Sequence, residues 1–595
     1  MNRIDRLSKN SFAPLLALCA ACLLLPADAA AKPLLPKTPD AKRVAEIAAL
    51  LDEKPSWCGE STTAPNAGRA EALLAKPIPE CRDEDFLLYV KTGDRMVYQR
   101  LYFDRQNTMR ELARYAEKTG DERFVRRVAE YLDAIAAERT WKLPAHDSKL
   151  TDFRGETVTI DLGSAGRASA LAEVLSILGA KLPPATVARV RAEAERRIFA
   201  PYRAAAKSRS GDAGGNWWFF GTSNWNAVCH AHVVLAALAM LDSRDDRAVF
   251  VEGAERGVRF FLSGLLDDGY CSEGGGYWNY GYGNFLRLVL AVRRASQGRV
   301  DFGSLPTAKR PMRYGFFYRL TGDTCPNFAD GGSSAASREN LLAGAEIWPE
   351  LKPLLDGKLP LHTWFPSGEV YIGRAGGFAF AVKGGNNNEM HNHNDVGSWD
   401  LSIDGVTVAG DPQGEVYTAR TFSPDRYVSK VLNSYGHPVP VVGGELQPPG
   451  AQFKAKILST TFADDRDEFV IDLANAYAKP PKRLVRTATF VRGDAPSATV
   501  RDDVAFVKPT AFETAFVTYG EVEKSSDGKS LVVMATSKGG DRTARLRVDV
   551  EATGGDWEWA SETIENPGRP SPHRWAVRFA APVREATVTF AMRPL

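Results

Sequence analysis

The feature that most constrains what this chain can fold into is a change of hydrophobic period partway along it. From about 42 to 344, apolar residues recur at helical spacing. The runs are DERFVRRVAEYLDAIAAER (121–139), RASALAEVLSILGA (167–180), ATVARVRAEAERRI (185–198), AVCHAHVVLAALAML (227–241), DRAVFVEGAERGVRFFLSGLL (246–266) and GNFLRLVLAVRRA (283–295). Side chains three and four apart share a helix face, so each run carries an apolar stripe that must be buried against a neighbour. After about Trp364 the period becomes two, as in VYIGRAGGFAFAVKGG (370–385), SWDLSIDGVTVAGD (398–411), RLVRTATFVRG (483–493) and ARLRVDVEA (544–552). Alternate residues of a strand point to opposite faces, and many short alternating runs between turns predict an antiparallel sandwich.

The expected architecture is an N-terminal (α/α) helical toroid over 32–350, followed by a C-terminal antiparallel β-sandwich over 351–595. A chain of 595 residues is too long for one hydrophobic core, which agrees with two domains. No strict sequence repeat marks it as an ankyrin-like or TPR-like array. Two Gly- and aromatic-rich joints break the helical half: GGNWWFFGTSNWN (214–226) and SEGGGYWNYGYGN (272–284). Loops of this kind at one end of a toroid would line a common cleft.

The N-terminus has Arg3, Arg6 and Lys9 ahead of a short apolar run (12–25), then Ala27-Asp28-Ala29 and Ala29-Ala30-Ala31. This pattern predicts a secretory signal peptide over 1–31, and hence a periplasmic or secreted protein; the run is too short to span a bilayer. No other stretch is long and apolar enough to span one. Lys and Arg total 75 against 73 Asp and Glu, so no global basic field points to a nucleic-acid partner. Cys58, Cys81, Cys229, Cys271 and Cys325 remain after cleavage, without zinc-finger spacing. Cys58 and Cys81 flank one loop and could pair in an oxidising compartment.

HNHND (391–395) holds two of the chain's 8 histidines, just after Asn386, Asn387 and Asn388. Taken alone, it can be a polar loop satisfying its own backbone or half of a metal site. Asp404-Gly405 is a strong two-residue hairpin turn, and pairing about it sets Asp411 opposite Ser398, close to His393. His437 lies in SYGHPVPVVGG just before a proline. His393, Asp411 and His437 would make a two-His, one-carboxylate set suited to zinc. His391 is then free to face an interdomain cleft as a base. The helical joints add Tyr277, Tyr280 and Tyr282, and place Asn224 and Asn226 at a helix start. A base, a phenol and an amide donor are the parts needed to eliminate across a uronate.

NNNEMHNHNDVGSWDLSIDG, with the later GDP and SYGHPVPVVGG, resembles the heparinase II/III-like family of polysaccharide lyases, which includes oligo-alginate lyases. The resemblance extends over most of the mature chain and is most specific at HNHNDVGS. It implies β-elimination on an acidic uronate polysaccharide or oligosaccharide, with a mainly structural zinc on His393, Asp411 and His437. It implies His391 as a catalytic residue, Asn224 to neutralise the substrate carboxylate, and a catalytic Tyr in the toroid loop. Tyr280 is the first choice there, with Tyr282 and Tyr277 in reserve. Asn226, Trp225, Tyr277, Tyr282 and Asn388 are the expected substrate-binding residues. Several family members carry an Asn-His pair where this chain has Asn224-Trp225; a Trp is no base, and His230 and His232 on the following helix are the nearby imidazoles. Arg374, Arg420 and Arg426 are candidate readers of sulfate or carboxylate. Two rival readings remain. One is a glycoside hydrolase using Glu273 with Asp267 or Asp268; the other is a non-catalytic glycan-binding protein.

Overall fold

The computed structural model describes residues 35–208 and 214–595. The signal peptide expected over 1–31 lies outside them. The first half is a helical toroid and the second an antiparallel β-sandwich. The last helical element of the first half ends at Leu354, and the first strand begins at His362.

Local chemistry explains the helix ends. Asp161 caps the helix Leu162–Leu178: its carboxylate accepts from the Ser164 amide, and the Ser164 hydroxyl accepts from the Asp161 amide. Gly120, at φ +72°, ends the long helix Met96–Thr119 in the left-handed conformation. The helix Asn224–Met240 packs against Leu162–Leu178, Arg244–Gly264 and Gly283–Ala295. That surround explains why its sequence is apolar on nearly every side. No helix among the described residues is long and apolar enough to cross a membrane.

A five-stranded antiparallel sheet joins the halves. It contains His362–Phe365, Val370–Ala375, Phe378–Lys383, Trp399–Ile403 and Val406–Ala409 in that spatial order. Its alternation divides it between two cores. Phe365, Val370, Ile372, Ala379 and Ala381 join the core of the toroid. Tyr371, Phe378, Phe380 and Val382 join that of the sandwich. Covered on both faces, Phe378–Lys383 is buried at every position. Behind it stand an eight-stranded sheet, from Glu521–Lys524 at one edge to Lys456–Phe462 at the other, and a four-stranded sheet containing Phe512–Thr518.

The expected turn at Asp404-Gly405 has φ values of +47° and +80°, both positive as a tight hairpin of this type requires. The register departs from expectation by one residue. Ile403 pairs with Val406 and Ser402 with Thr407, but a bulge then sets Leu401 opposite Ala409. Asp411 therefore does not face Ser398 through the ladder. Its side chain still reaches it, because the Ser398 hydroxyl donates to Asp411 Oδ2 at 3.0 Å. All five described cysteines are free. Cys58 packs in the toroid core, whereas Cys81 packs beside a separate cluster around Phe86 and Tyr98, so the two do not pair.

Candidate active site

A cleft of about 920 Å³ opens between the toroid loops and the first sheet's long connection. A groove of about 670 Å³ continues it, sharing Trp217, Asn224, Trp225, His391 and Phe422. Trp225 and Trp217 lie 5.1 Å apart by ring centroid and form an aromatic wall. Asn388 is exposed on the groove. Both tryptophans come from the first Gly- and aromatic-rich joint.

HNHND lies in the connection between the neighbouring strands Phe378–Lys383 and Trp399–Ile403. It is a turn and not a strand, so its histidines need not share a face. His391, at φ +56°, is in the left-handed region and its ring enters the cleft. His393, two residues on, is fully buried.

One carboxylate orients both rings. Asp330 Oδ2 lies 3.0 Å from His391 Nδ1, and Asp330 Oδ1 lies 2.9 Å from His393 Nε2. Tyr417 and Arg426 also donate to Asp330 Oδ2, each at 2.9 Å. Burial alone would raise the Asp330 pKa, but the two histidines and Arg426 outweigh it and hold the group well below the usual carboxylate range. An ionised Asp330 only accepts, so His391 carries its proton on Nδ1 and His393 on Nε2. That leaves His391 Nε2 as the lone-pair nitrogen on the side of Glu273, 3.3 Å away. Asn224 donates to the same Glu273 oxygen at 2.8 Å. Burial raises the Glu273 pKa.

The toroid loop is held against this cluster by glycine. Gly276 N–H donates to the Gly331 carbonyl at 3.0 Å, and a Cβ at Gly276 would meet that oxygen at 2.5 Å. A Cβ at Gly275 would collide with the Ser334 carbonyl. Only a chain without side chains lets the two backbones approach so closely. The loop then delivers Tyr277, whose ring stacks on His391 at 4.1 Å and whose hydroxyl meets that of Tyr417 at 2.7 Å. Tyr280 follows with 40% of its surface open to the cleft, and its hydroxyl has no hydrogen bond among the described residues. Burial lifts that hydroxyl above the ordinary phenol range, so it holds its proton at neutral pH.

Behind His391, donor atoms of His393, Asp411 and His437 lie within 4.8 Å of one another. All three residues are buried, and His393 Nδ1 and His437 Nε2 have no hydrogen-bond partner. His393 Nδ1 sits 3.9 Å from Asp411 Oδ1, too long for a hydrogen bond. An orphaned imidazole lone pair beside a buried carboxylate fits a divalent ion with nitrogen and oxygen ligands.

Several expected site residues are placed elsewhere. Tyr282 is buried and its hydroxyl donates to the Ala308 carbonyl at 2.5 Å, so it cannot meet a ligand. Asn226 is buried too; its amide donates to the Phe219 and Gly257 carbonyls, joining helix to loop. His230 bonds Tyr202 inside the core, and burial lowers its pKa to about 3. His232 lies on the cleft wall but is equally desolvated, with a pKa of about 3 and Ser169 on Nδ1. Arg374 is buried and donates to the backbone carbonyls of Phe317 and Arg319. Arg420 pairs with Glu415, and Arg426 serves Asp330. Neither Asp267 nor Asp268 lines the cleft or groove.

Sequence reasoning missed Asp330, Tyr417 and His146. The signal for Asp330 is the dipeptide Gly331-Gly332 after it, which matches the glycines of the facing loop. His146 comes from a short turn far back in the chain. Its Nδ1 lies 2.6 Å from the buried Asp161 carboxylate, and its ring meets Trp225 edge-on at 4.5 Å. An imidazole is therefore present beside position 225, supplied by a distant segment.

No family model matches the chain, and no curated protein sequence matches it. Solved structures share its fold. A mutant of heparan sulfate lyase HepC from Pedobacter heparinus aligns with a TM-score of 0.60, over 93% of this chain and 87% of that one, at 13% identity. A heparinase III aligns with a TM-score of 0.61 over 94% and 93%, at 12% identity. Chondroitin AC lyase of Streptomyces coelicolor A3, in complex with chondroitin sulphate, gives 0.51 over 98% and 83%, at 11% identity. At these identities the likeness is one of fold.

Proposed function

We propose that the protein is a secreted or periplasmic polysaccharide lyase that cleaves a uronate-containing glycan by β-elimination. The observation that carries this reading is the cluster at the cleft: His391 held by Asp330, with Tyr280, Asn224 and Glu273 around it. The uronate carboxylate docks against the Asn224 amide, which limits the charge that builds up as the adjacent C–H ionises. His391 Nε2 takes the C5 proton. The electron pair forms the C4–C5 double bond, and the C4–O bond breaks. The Tyr280 hydroxyl protonates the departing oxygen. Water then restores the Tyr280 proton and removes that of His391. Trp225 and Trp217 supply a stacking wall for sugar rings.

His393, Asp411 and His437 would hold a zinc ion. When bound, it supplies a fixed positive charge that organises the wall behind His391. The fold neighbours named as heparan sulfate and chondroitin lyases support an acidic substrate. A hydrolase needs two carboxylates facing the cleft, and none of Glu273, Asp267 and Asp268 lines it.

The test is ultraviolet absorbance during incubation with heparan-type, chondroitin-type and alginate-type polysaccharides. A rising signal from an unsaturated uronate is expected on at least one. New reducing ends without that absorbance would replace the lyase with a hydrolase.

A further inference from the structure

The helical wall of the cleft carries three arginines: Arg95, Arg110 and Arg287. Two are neutralised within the protein. Arg110 pairs with Glu173 at 2.6 Å, and Arg287 pairs with Glu60 at 3.6 Å and Glu339 at 3.3 Å. Arg426, on the adjoining groove, is bound to Asp330. Arg95 has no carboxylate within ion-pair distance among the described residues. Its Nε donates to the Gln99 amide oxygen at 3.0 Å, and its terminal nitrogens have no hydrogen-bond partner among the described residues.

Arg95 is half-buried, in the turn between the helices Asp83–Thr92 and Met96–Thr119. That turn abuts the sandwich: a Cβ at Gly93 would lie 3.2 Å from the Ala419 Cβ, two residues from Tyr417. Desolvation lowers the Arg95 pKa, and the ionisable groups that act on it are Tyr89, Tyr277, Tyr417 and Asp161. The groups acting on Glu273 are His391, Asn224 and Asp330 instead. Arg95 lines the same cleft as Asn224, Tyr277 and Tyr417, and among the described residues it makes no hydrogen bond or ion pair with Glu273 or Asn224. A guanidinium withdrawn from bulk water without a counter-charge is costly. Its planar fork matches the oxygens of a carboxylate or a sulfate.

We propose that Arg95 is an anion subsite of this cleft, binding a carboxylate or sulfate on the sugar next to the one that reacts. The proposal rests on the reading of the cleft as a uronate site, but it concerns binding and is separable from turnover. It predicts that the substrate carries negative charge on two neighbouring sugars or on one sugar and a sulfate beside it.

The experiment is a titration of wild-type protein and Arg95→Gln, Arg95→Lys and Arg95→Ala by tryptophan fluorescence, since Trp217 and Trp225 line the cleft. The probes are an unsulfated glucuronate-containing hexasaccharide, its N-sulfated counterpart, an alginate hexasaccharide and a carboxyl-reduced neutral hexasaccharide. Arg95→Gln is expected to weaken binding of the preferred anionic probe about tenfold or more, equivalent to about 1.4 kcal/mol. Arg95→Lys should recover part of the loss, and affinity for the neutral probe should not change. A loss confined to the N-sulfated probe assigns the subsite to sulfate; a loss on the unsulfated probes assigns it to carboxylate. Equal affinity of wild type and Arg95→Gln for every anionic probe overturns the proposal, as does an equal loss on the neutral probe. Wild-type protein that binds no anionic probe overturns both the subsite and the lyase. Binding that depends on Arg95 without any unsaturated product keeps the subsite and removes the lyase.

Discussion

Asp330 shows how much one side chain decides at this site. It accepts from His391, His393, Tyr417 and Arg426, so a single ionised carboxylate sets which nitrogen of each imidazole keeps a lone pair. The Gly331-Gly332 pair of FADGG marks a close backbone approach, but it does not say that His391 and His393, some sixty positions away, are the partners of Asp330. The tyrosines of the toroid loop were equally ambiguous as a string, because Tyr277, Tyr280 and Tyr282 fall within one turn and a half of helix-like chain. Packing separates them. Tyr280→Phe is expected to lower kcat about a hundredfold or more by removing the proton donor, with an unchanged melting temperature. Tyr282→Phe should leave kcat nearly intact and cost about 1 kcal/mol of stability, since it breaks the bond to the Ala308 carbonyl. Rates from unsaturated-uronate absorbance and thermal unfolding of the two variants distinguish these outcomes; a fully active Tyr280→Phe would shift the role to Tyr277.

Among the elements, the helix Leu162–Leu178 has a cap with two duties. Asp161 caps its first turn and also holds His146 at the cleft. Burial opposes ionisation of Asp161, but the bonds from His146, Ser164 and Leu143 outweigh it, and the pKa falls below the ordinary 3.8. A carboxylate with a depressed folded pKa stabilises the fold above the unfolded pKa; that contribution fades as pH falls through the folded value. Asp161→Asn keeps a competent cap without the charge. It should therefore lower the urea midpoint at pH 7 and show a smaller deficit at pH 3. A constant deficit across that range would mean the charge itself contributes nothing. A zinc ion on His393, Asp411 and His437 would also tie down the connection carrying HNHND. Metal analysis of His393→Ala should find loss of bound zinc, and a chelator should lower the melting temperature of the wild type while leaving that of the variant unmoved. Equal zinc content in both proteins would remove His393 from the ligand set. Burial on both faces can erase the alternation that marks a strand. Phe512–Thr518 is buried at all seven positions, so it had no alternation to read.

For the whole molecule, the cleft exists because the two halves share apolar surface. The first sheet gives alternate residues to the toroid core and to the sandwich core, so the halves are joined by packing as well as by the chain. Across that junction the Tyr277 hydroxyl of the toroid meets the Tyr417 hydroxyl of the sandwich, 140 positions away. A double-mutant cycle on Tyr277→Phe and Tyr417→Phe should give non-additive losses in kcat/KM, with a coupling of roughly 0.5–1.5 kcal/mol. Strict additivity would mean the contact does not matter to the site. The sequence by itself determined the order of helical and strand halves, because hydrophobic period is a local property. It also singled out His393, Asp411 and His437, whose donor atoms lie within 4.8 Å of one another, because a tight hairpin keeps Asp411 near His393. Tertiary structure alone decided that Tyr417, His146 and Arg95 line the cleft and that Asp330 stands behind His391. It also withdrew Tyr282 and Asn226 into the core. Those positions depend on which backbones approach across long loops, and that is settled by packing between segments whose separation along the chain carries no periodic signal.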